Sequence, residues 1–257
     1  TTQMNIRKAL LTTLLVVSAV AFAAGAKAKA PSANHFFVGA NLGSGLSVGE
    51  FSAFYDANDT EARFENTAAN TGMLAGLSLG YDMKMGASNN LTVALDFNFN
   101  SAMIKQTMHI ESNANQAIEP IDLTQSVSPK MQYNLMLSYG YTVTPAFSSH
   151  VNLGGSMLVA NHKLHIKDTG ANSNGDDAAN DSSGDTSVAG GVLGFGVTHK
   201  WSANTSVSFD ANYFMYGTAK FDNLQDIVTG TTNTDSFSQR KFVLNMPAFT
   251  LSYHYGF

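Results

Sequence analysis

From residue 36 to the C-terminus, apolar residues alternate with small or polar ones in eight separate stretches. Period-two alternation is the pattern of a strand with one oily face. Phe36 to Val48 sets Phe36, Val38, Ala40, Leu42 and Leu46 against Phe37, Gly39, Asn41, Gly43 and Gly45. Thr71–Met83, Leu91–Met103 and Met131–Val143 repeat the scheme, followed by Val151–Val159, Ala189–Trp201, Val207–Met215 and Lys241–Phe257. The sixth stretch is less clean, and the eighth loses its phase near Phe242 and Leu244. Pro247 has no N–H to give to a ladder, so a bulge or strand entry is expected there.

The connections sort by length. Residues 84–90, 144–149 and 202–205 are short and turn-like, whereas 49–70, 104–130, 161–187 and 217–240 are long and polar. Long and short alternate strictly, so an up-and-down sheet carries every long loop at one end and both termini at the other. Eight amphipathic strands in hydrocarbon must close, because an open edge would leave backbone groups unpaired. The expected fold is all-β: an eight-stranded antiparallel up-and-down transmembrane barrel with short periplasmic turns and four long extracellular loops. Phe36, Tyr81, Tyr139, Tyr141, Trp201, Tyr255 and Phe257 fall at the short-turn end. Phe99, Tyr133, Tyr213 and Phe242 fall toward the other, giving two expected aromatic girdles.

Both ends of the chain support export. Arg7 and Lys8 precede an apolar run from Ala9 to Ala24, and Ala26-Lys27-Ala28-Lys29-Ala30 offers two small-residue cleavage sites. Residues 1–30 therefore read as Thr1-Thr2-Gln3 upstream of a cleavable signal peptide, and residues 31–257 as the barrel. Losing Arg7, Lys8, Lys27 and Lys29 takes the formal charge from −5 to −9 (10 basic, 19 acidic), which excludes nucleic acid as an expected partner. With no cysteine, neither disulfides nor thiolate zinc sites are available. A mean hydropathy of −0.05 would pass for a soluble chain, but only alternate strand residues meet lipid in a barrel. The last strand, with Phe249, Leu251, Tyr253, Tyr255 and Phe257 on one face, resembles the assembly signal of bacterial outer-membrane barrels. That resemblance implies the barrel-assembly machinery as a partner.

On Phe36-Phe-Val-Gly-Ala-Asn-Leu-Gly43 and Tyr253-His-Tyr-Gly-Phe257, the region from about residue 33 to 257 resembles the small eight-stranded outer-membrane barrels of the OmpA-transmembrane and opacity-protein type. The resemblance implies a bacterial outer-membrane location in lipid and lipopolysaccharide, with termini periplasmic. It implies envelope integrity, adhesion to host or environmental surfaces, or slow solute passage, and does not choose among them.

Candidate chemistry is sparse. Asp96 and Asp210 share the inward parity with Asn98, Asn100, Asn134, Asn152 and Asn212. They form either a satisfied polar network or the wall of a narrow cation-preferring channel. Lys105, Lys130, Lys163, Lys167, Lys220, Arg240 and Lys241 gather near the outer strand ends. There they either snorkel or contact lipopolysaccharide phosphates. Asp176, Asp177 and Asp181 lack the spacing of a calcium loop and read as a solvated acidic segment or a loose cation patch. His162 and His165 stand on opposite faces of a strand, and no nucleophile–base pair emerges. No cofactor, metal or catalytic residue is expected. The leading expectation is a non-catalytic surface barrel, the alternative a small diffusion channel, and a lipid A-modifying enzyme comes last.

Overall fold

A computed structural model describes residues 34–57, 60–110, 121–168, 180–221 and 240–257. Residues 1–30, expected to hold a signal peptide, and Asp176 and Asp177 lie outside them. The described residues form strands β1 (His35–Ala57), β2 (Thr60–Lys84), β3 (Asn89–Asn100), β4 (Ile104–Ile110), β5 (Ile121–Thr144), β6 (Phe147–Asp168), β7 (Asn180–Lys200), β8 (Thr205–Phe221) and β9 (Arg240–Gly256). All neighbours are antiparallel, in the order β3-β2-β1-β9-β8-β7-β6-β5-β4. A further β3–β5 pairing closes the sheet on itself.

The nine segments make eight staves, because β3 and β4 are one stave interrupted at Ser101–Met103. At the interruption the Asn100 side chain accepts a hydrogen bond from the Ala102 N–H, and Asn70 Nδ2 donates to the Met103 carbonyl. These bonds occupy backbone groups that leave the ladder.

Register fixes the size of the ring. Following partners from Asn90 leads through Gly140, His150, Gly196, Asp210, Thr250, Gly43 and Leu74 to Asn100. The circuit returns to its own strand ten residues higher (100 − 90 = 10). Eight strands with that stagger tilt by about 40° and enclose a backbone radius of about 8 Å. At that tilt the outward apolar run of β1, Phe36 to Leu46, climbs about 25 Å along the axis, the height of a lipid-facing band. Leu42, Leu77, Leu135, Leu153, Leu193 and Phe195 are among the large apolar side chains exposed on the outside. In water such a belt would be untenable; in hydrocarbon it is what holds the barrel in place.

Several expectations need correcting. The segments 49–70, 104–130 and 161–187 are largely strand rather than loop, since β1 and β2 pair out to Ala57↔Thr60 and β6 and β7 to Ile166↔Asn180; most of 217–240 lies outside the described residues. Their polarity signalled strands that have left the lipid, not loss of strand. Phe242 is not a girdle residue: it points inward and is buried against Phe51, ring centroids 5.0 Å apart. The phase of β9 never breaks, because Phe242, Leu244, Met246 and Ala248 continue the inward parity of Ser252 and Gly256. Pro247 leaves a gap in the β1–β9 ladder, between Gly45↔Ala248 and Val48↔Asn245, without shifting its register. The register shifts fall at Pro129/Met131 and Thr142/Thr144 on β5 and at Met215/Thr218 on β8.

The short turns are tightly made. Gly86 takes φ +101°, a conformation costly for any residue with a Cβ, in the β2–β3 turn, where the Met85 N–H donates to the Asn89 carbonyl at 2.8 Å. In the β7–β8 turn Ser202 Oγ accepts from the N–H groups of Asn204 and Thr205. The chain end is fastened too, Phe257 N–H donating to the Phe36 carbonyl at 2.9 Å.

Candidate functional site

The lumen has two unlike halves. Toward the long hairpins it is filled by Phe51, Ile104, Val127, Leu158, Val192, Phe242, Leu244 and Met246, each almost wholly buried. Toward the short turns it is polar and encloses a cavity of about 110 Å³. Leu74, Met136 and Phe214 line the cavity where it meets the apolar half, and Asp82, Asn90, Lys200 and Ser206 line it toward the turns. Both halves come from one alternation, since the inward positions of β9 read Phe, Leu, Met, Ala and then Thr, Ser, His, Gly. The polar residues between the two zones are bonded to one another. Ser156 Oγ donates to Asn134 Oδ1 at 2.7 Å and lies 3.0 Å from the Tyr216 hydroxyl.

Asp210 is the hub of the polar half. Its Oδ1 accepts from His150 Nε2 at 2.6 Å and from Asn152 Nδ2 at 2.9 Å. The same Asn152 amide reaches Asn212 Oδ1, and its own Oδ1 accepts from Ser138. Register explains the meeting: His150, Gly196 and Asp210 are partners across three neighbouring strands. A Cβ on Gly196 would run into both side chains, so the glycine is what lets them touch. Beyond the imidazole, Nδ1 lies 3.5 Å from Thr198 Oγ1, which itself pairs with Ser208 Oγ at 2.9 Å. An Asp–His–hydroxyl order of this kind is the arrangement of a charge relay. Here the hydroxyl is held by a second hydroxyl inside the wall, and the chain of contacts reads as a closed polar network.

Asp96 stands opposite. On the closed ring β8 is four staves from β3 in either direction. The row through Asp210 climbs ten residues of β3 in a full turn, from Asn90 to Asn100, and so passes level with residue 95 at half a turn. The two carboxylates therefore face each other across the axis at nearly one height, with Cα atoms about 16 Å apart. Nearer the turns, Asp82 accepts from Thr92 Oγ1 and lies 3.5 Å from His35 Nε2.

The inward parity of Asp96, Asp210, Asn98, Asn134, Asn152 and Asn212 is thus observed, and all of them line the one cavity. His150 was missed, because the fifth stretch was begun at Val151; carrying the alternation one residue back would have placed it beside Asn152. Of the basic set, Lys105, Lys130 and Lys163 are exposed on the outer face, whereas the side chains of Lys167, Lys220, Arg240 and Lys241 lie outside the described residues. Lys130 is the residue squeezed out at the β5 register shift, and its Nζ lies 3.0 Å from Asp185 Oδ1. Asn161 Nδ2 donates to that same oxygen at 2.9 Å. Those two contacts, the amide foremost, hold the Asp185 carboxyl below the ordinary aspartate range. Among the described residues no three His, Asp or Glu side chains are grouped as a metal site.

No protein-family model matches the chain, and no curated protein does. In chain path it is similar to solved structures that include the following three. Ail, the attachment invasion locus protein of Yersinia pestis, is 14% identical, with a TM-score of 0.32 over 84% of this chain and 98% of that one. Neisserial surface protein A is 9% identical, with a TM-score of 0.36 over 86% and 97%. The outer membrane protease OmpT of Escherichia coli is 9% identical, with a TM-score of 0.44 over 91% and 100%.

Proposed function

We propose that this chain is an integral barrel of a Gram-negative outer membrane, with the short turns periplasmic and the long hairpins outside. Its task is carried by those hairpins, as adhesion to a surface or as reinforcement of the envelope, and not by conduction. The observation behind this reading is the packed outer half of the lumen, where Leu158, Leu244 and Met246 are at most 1% exposed. An ion entering that zone would surrender its water to aliphatic carbon, at a cost of many kcal/mol. The strands that continue past the lipid band supply a rigid platform on the outer side. Exposed Lys105, Lys130 and Lys163 stand at the level where lipopolysaccharide phosphates would lie.

The alternative, a small cation-preferring pore, draws on Asp96 and Asp210 but has to open the apolar half. Planar-bilayer recording on the purified full chain separates the two. Silence supports the surface reading, and reproducible cation-selective steps overturn it. Attachment of whole cells to a surface before and after trimming the hairpins by protease tests adhesion. Unchanged attachment would leave envelope reinforcement as the role.

A further inference from the structure

Ladders close the ring only in its lower part. β2 pairs with β3 from Lys84 up to Leu74, and above that level, among the described residues, β1 is its one ladder partner. β4 likewise pairs with β5 from Ile104 to Ile110 and has no ladder on its other side. Two strand edges therefore flank a seam in the hairpin region. At its foot the Ser101 N–H donates to the Met73 carbonyl, and Asn70 Nδ2 to the Met103 carbonyl. The seam stands above the lipid band, since Thr67 on β2 is the partner of exposed Glu50 on β1. Asn66 and Asn70 have the inward parity of Gly72 and Leu74 yet are exposed, so water reaches the inner face there.

An edge strand turns the N–H and C=O of every second residue away from its ladder, and these groups call for partners. The bond between Ser101 and Met73 marks odd-numbered residues as those facing the seam on both strands. The β2 edge is shielded by its own side chains. Asn66 Oδ1 accepts from the Thr67 N–H and Asn70 Oδ1 from the Thr71 N–H, both at 2.9 Å. On β4 the Thr107 carbonyl accepts from Gln106 Nε2 at 3.4 Å, and no side chain covers the seam-facing N–H groups of Lys105 and Thr107. The β4 edge is the open one. What complements a row of backbone donors and acceptors at strand spacing is another strand. Charge narrows its kind: Lys105 is exposed beside the open edge and has no ion-pair partner among the described residues. A strand laid there gains most from a carboxylate opposite that ammonium.

We propose that the β4 edge of this seam is a docking site for an extended segment of another polypeptide, added as a further strand and carrying an acidic side chain beside Lys105. The inference deepens the surface reading above and rests on its placement of the hairpins outside the lipid.

The probe is a fluorescent heptapeptide of alternating threonine and valine with one aspartate, blocked at both ends, titrated into the purified full chain in detergent micelles and read by anisotropy. Saturable binding is expected, weakened about tenfold by Thr107→Pro, which removes a seam-facing N–H that the β5 ladder does not use. Lys105→Gln should weaken it about threefold, while Lys163→Gln, two staves away, leaves it unchanged. Two further peptides, N-methylated at one or the other alternate set of amides, test the mode of binding without touching the protein; at least one must lose about tenfold. Electrophoretic mobility before and after boiling shows that each variant is folded, and should Thr107→Pro not fold, the methylated peptides decide. No saturable binding to the parent chain, or binding that ignores both methylation patterns, overturns the proposal. A parent chain that sediments as a dimer and takes up no probe assigns the edge to a second copy and overturns it too. Probe binding in micelles and attachment of whole cells fail separately, so loss of one reading is not mistaken for loss of the other.

Discussion

Leu158 and Leu193 are the same residue on neighbouring strands with opposite fates, one sealed in the lumen at 0% exposure and one facing outward at 56%. Cutting either to alanine removes three carbons from an apolar environment, at about 0.8 kcal/mol each, or about 2.4 kcal/mol of transfer energy. At Leu193 nothing more is lost, because lipid or detergent chains close over the gap. At Leu158 the surrounding plug of Val127, Leu244 and Met246 is fixed to the wall and relaxes only in part, so a cavity term adds about 1–2 kcal/mol. Leu158→Ala should therefore cost about 3–4.5 kcal/mol and Leu193→Ala about 2–2.5. Reversible urea unfolding from phospholipid measures both, with the sole tryptophan, Trp201, as the fluorescent reporter at the rim. If Leu193→Ala proved as costly as Leu158→Ala, the outer lumen would not be a packed solid. The case against conduction would then fall with it.

Other substitutions probe the band, the network and the rim. Leu137→Arg puts a guanidinium at mid-height on the lipid face and should cost about 2–4 kcal/mol in the same unfolding assay, whereas Lys163→Arg above the band should leave the midpoint unmoved. Gly196→Ala forces His150 and Asp210 apart and should lower stability by about 1–3 kcal/mol; an unchanged midpoint would show that their contact matters little. At Asp185 the folded carboxyl is held below its unfolded value, so its stabilising contribution is complete above the ordinary aspartate range and fades as pH falls through the lowered value. Side-chain carboxyl NMR should show Asn161→Ala raising that titration more than Lys130→Gln does, and the reverse order would reassign the cause.

The strands and their faces were readable because a strand's period is two whatever lies around it. Leu193 outward and Val192 inward follow from counting, and so does the row that carries Asp96, Asn98 and Asn100. Length was harder. Beyond Val48 the outward positions of β1 turn polar at Glu50 and Ser52, and polarity alone does not say whether a ladder has ended or merely entered water. Pairing partners decide that, and they are remote in sequence: Glu50 continues β1 because Thr67 and Val243 flank it. The phase of β9 was lost near Phe242 for a related reason. An apolar residue on the inward face looks like a slip of register when the lumen is assumed to be polar throughout. His150 escaped because its role depends on Asp210, sixty residues away, and on a glycine between them.

That same assumption governs how the lumen is understood. Counting small inward residues such as Gly39, Gly43, Gly76, Gly194 and Gly196 suggests an empty tube, but a glycine on a barrel wall is often room lent to a neighbour. A Cβ on Gly39 would strike Ser78 and His254, and one on Gly49 would strike Phe242. A radius of about 8 Å, less the depth of side chains on facing walls, leaves space only where those side chains are short. Around Asp96 and Asp210 they are short and polar, and a cavity remains. Around Leu158 and Phe242 they are long and apolar, and they pack against one another. On the non-conducting reading proposed above, a barrel divided in this way communicates with one side of the membrane alone. The polar half and the hairpins are then separated by a layer of aliphatic and aromatic carbon, Phe51, Leu158, Phe242 and Leu244 among it.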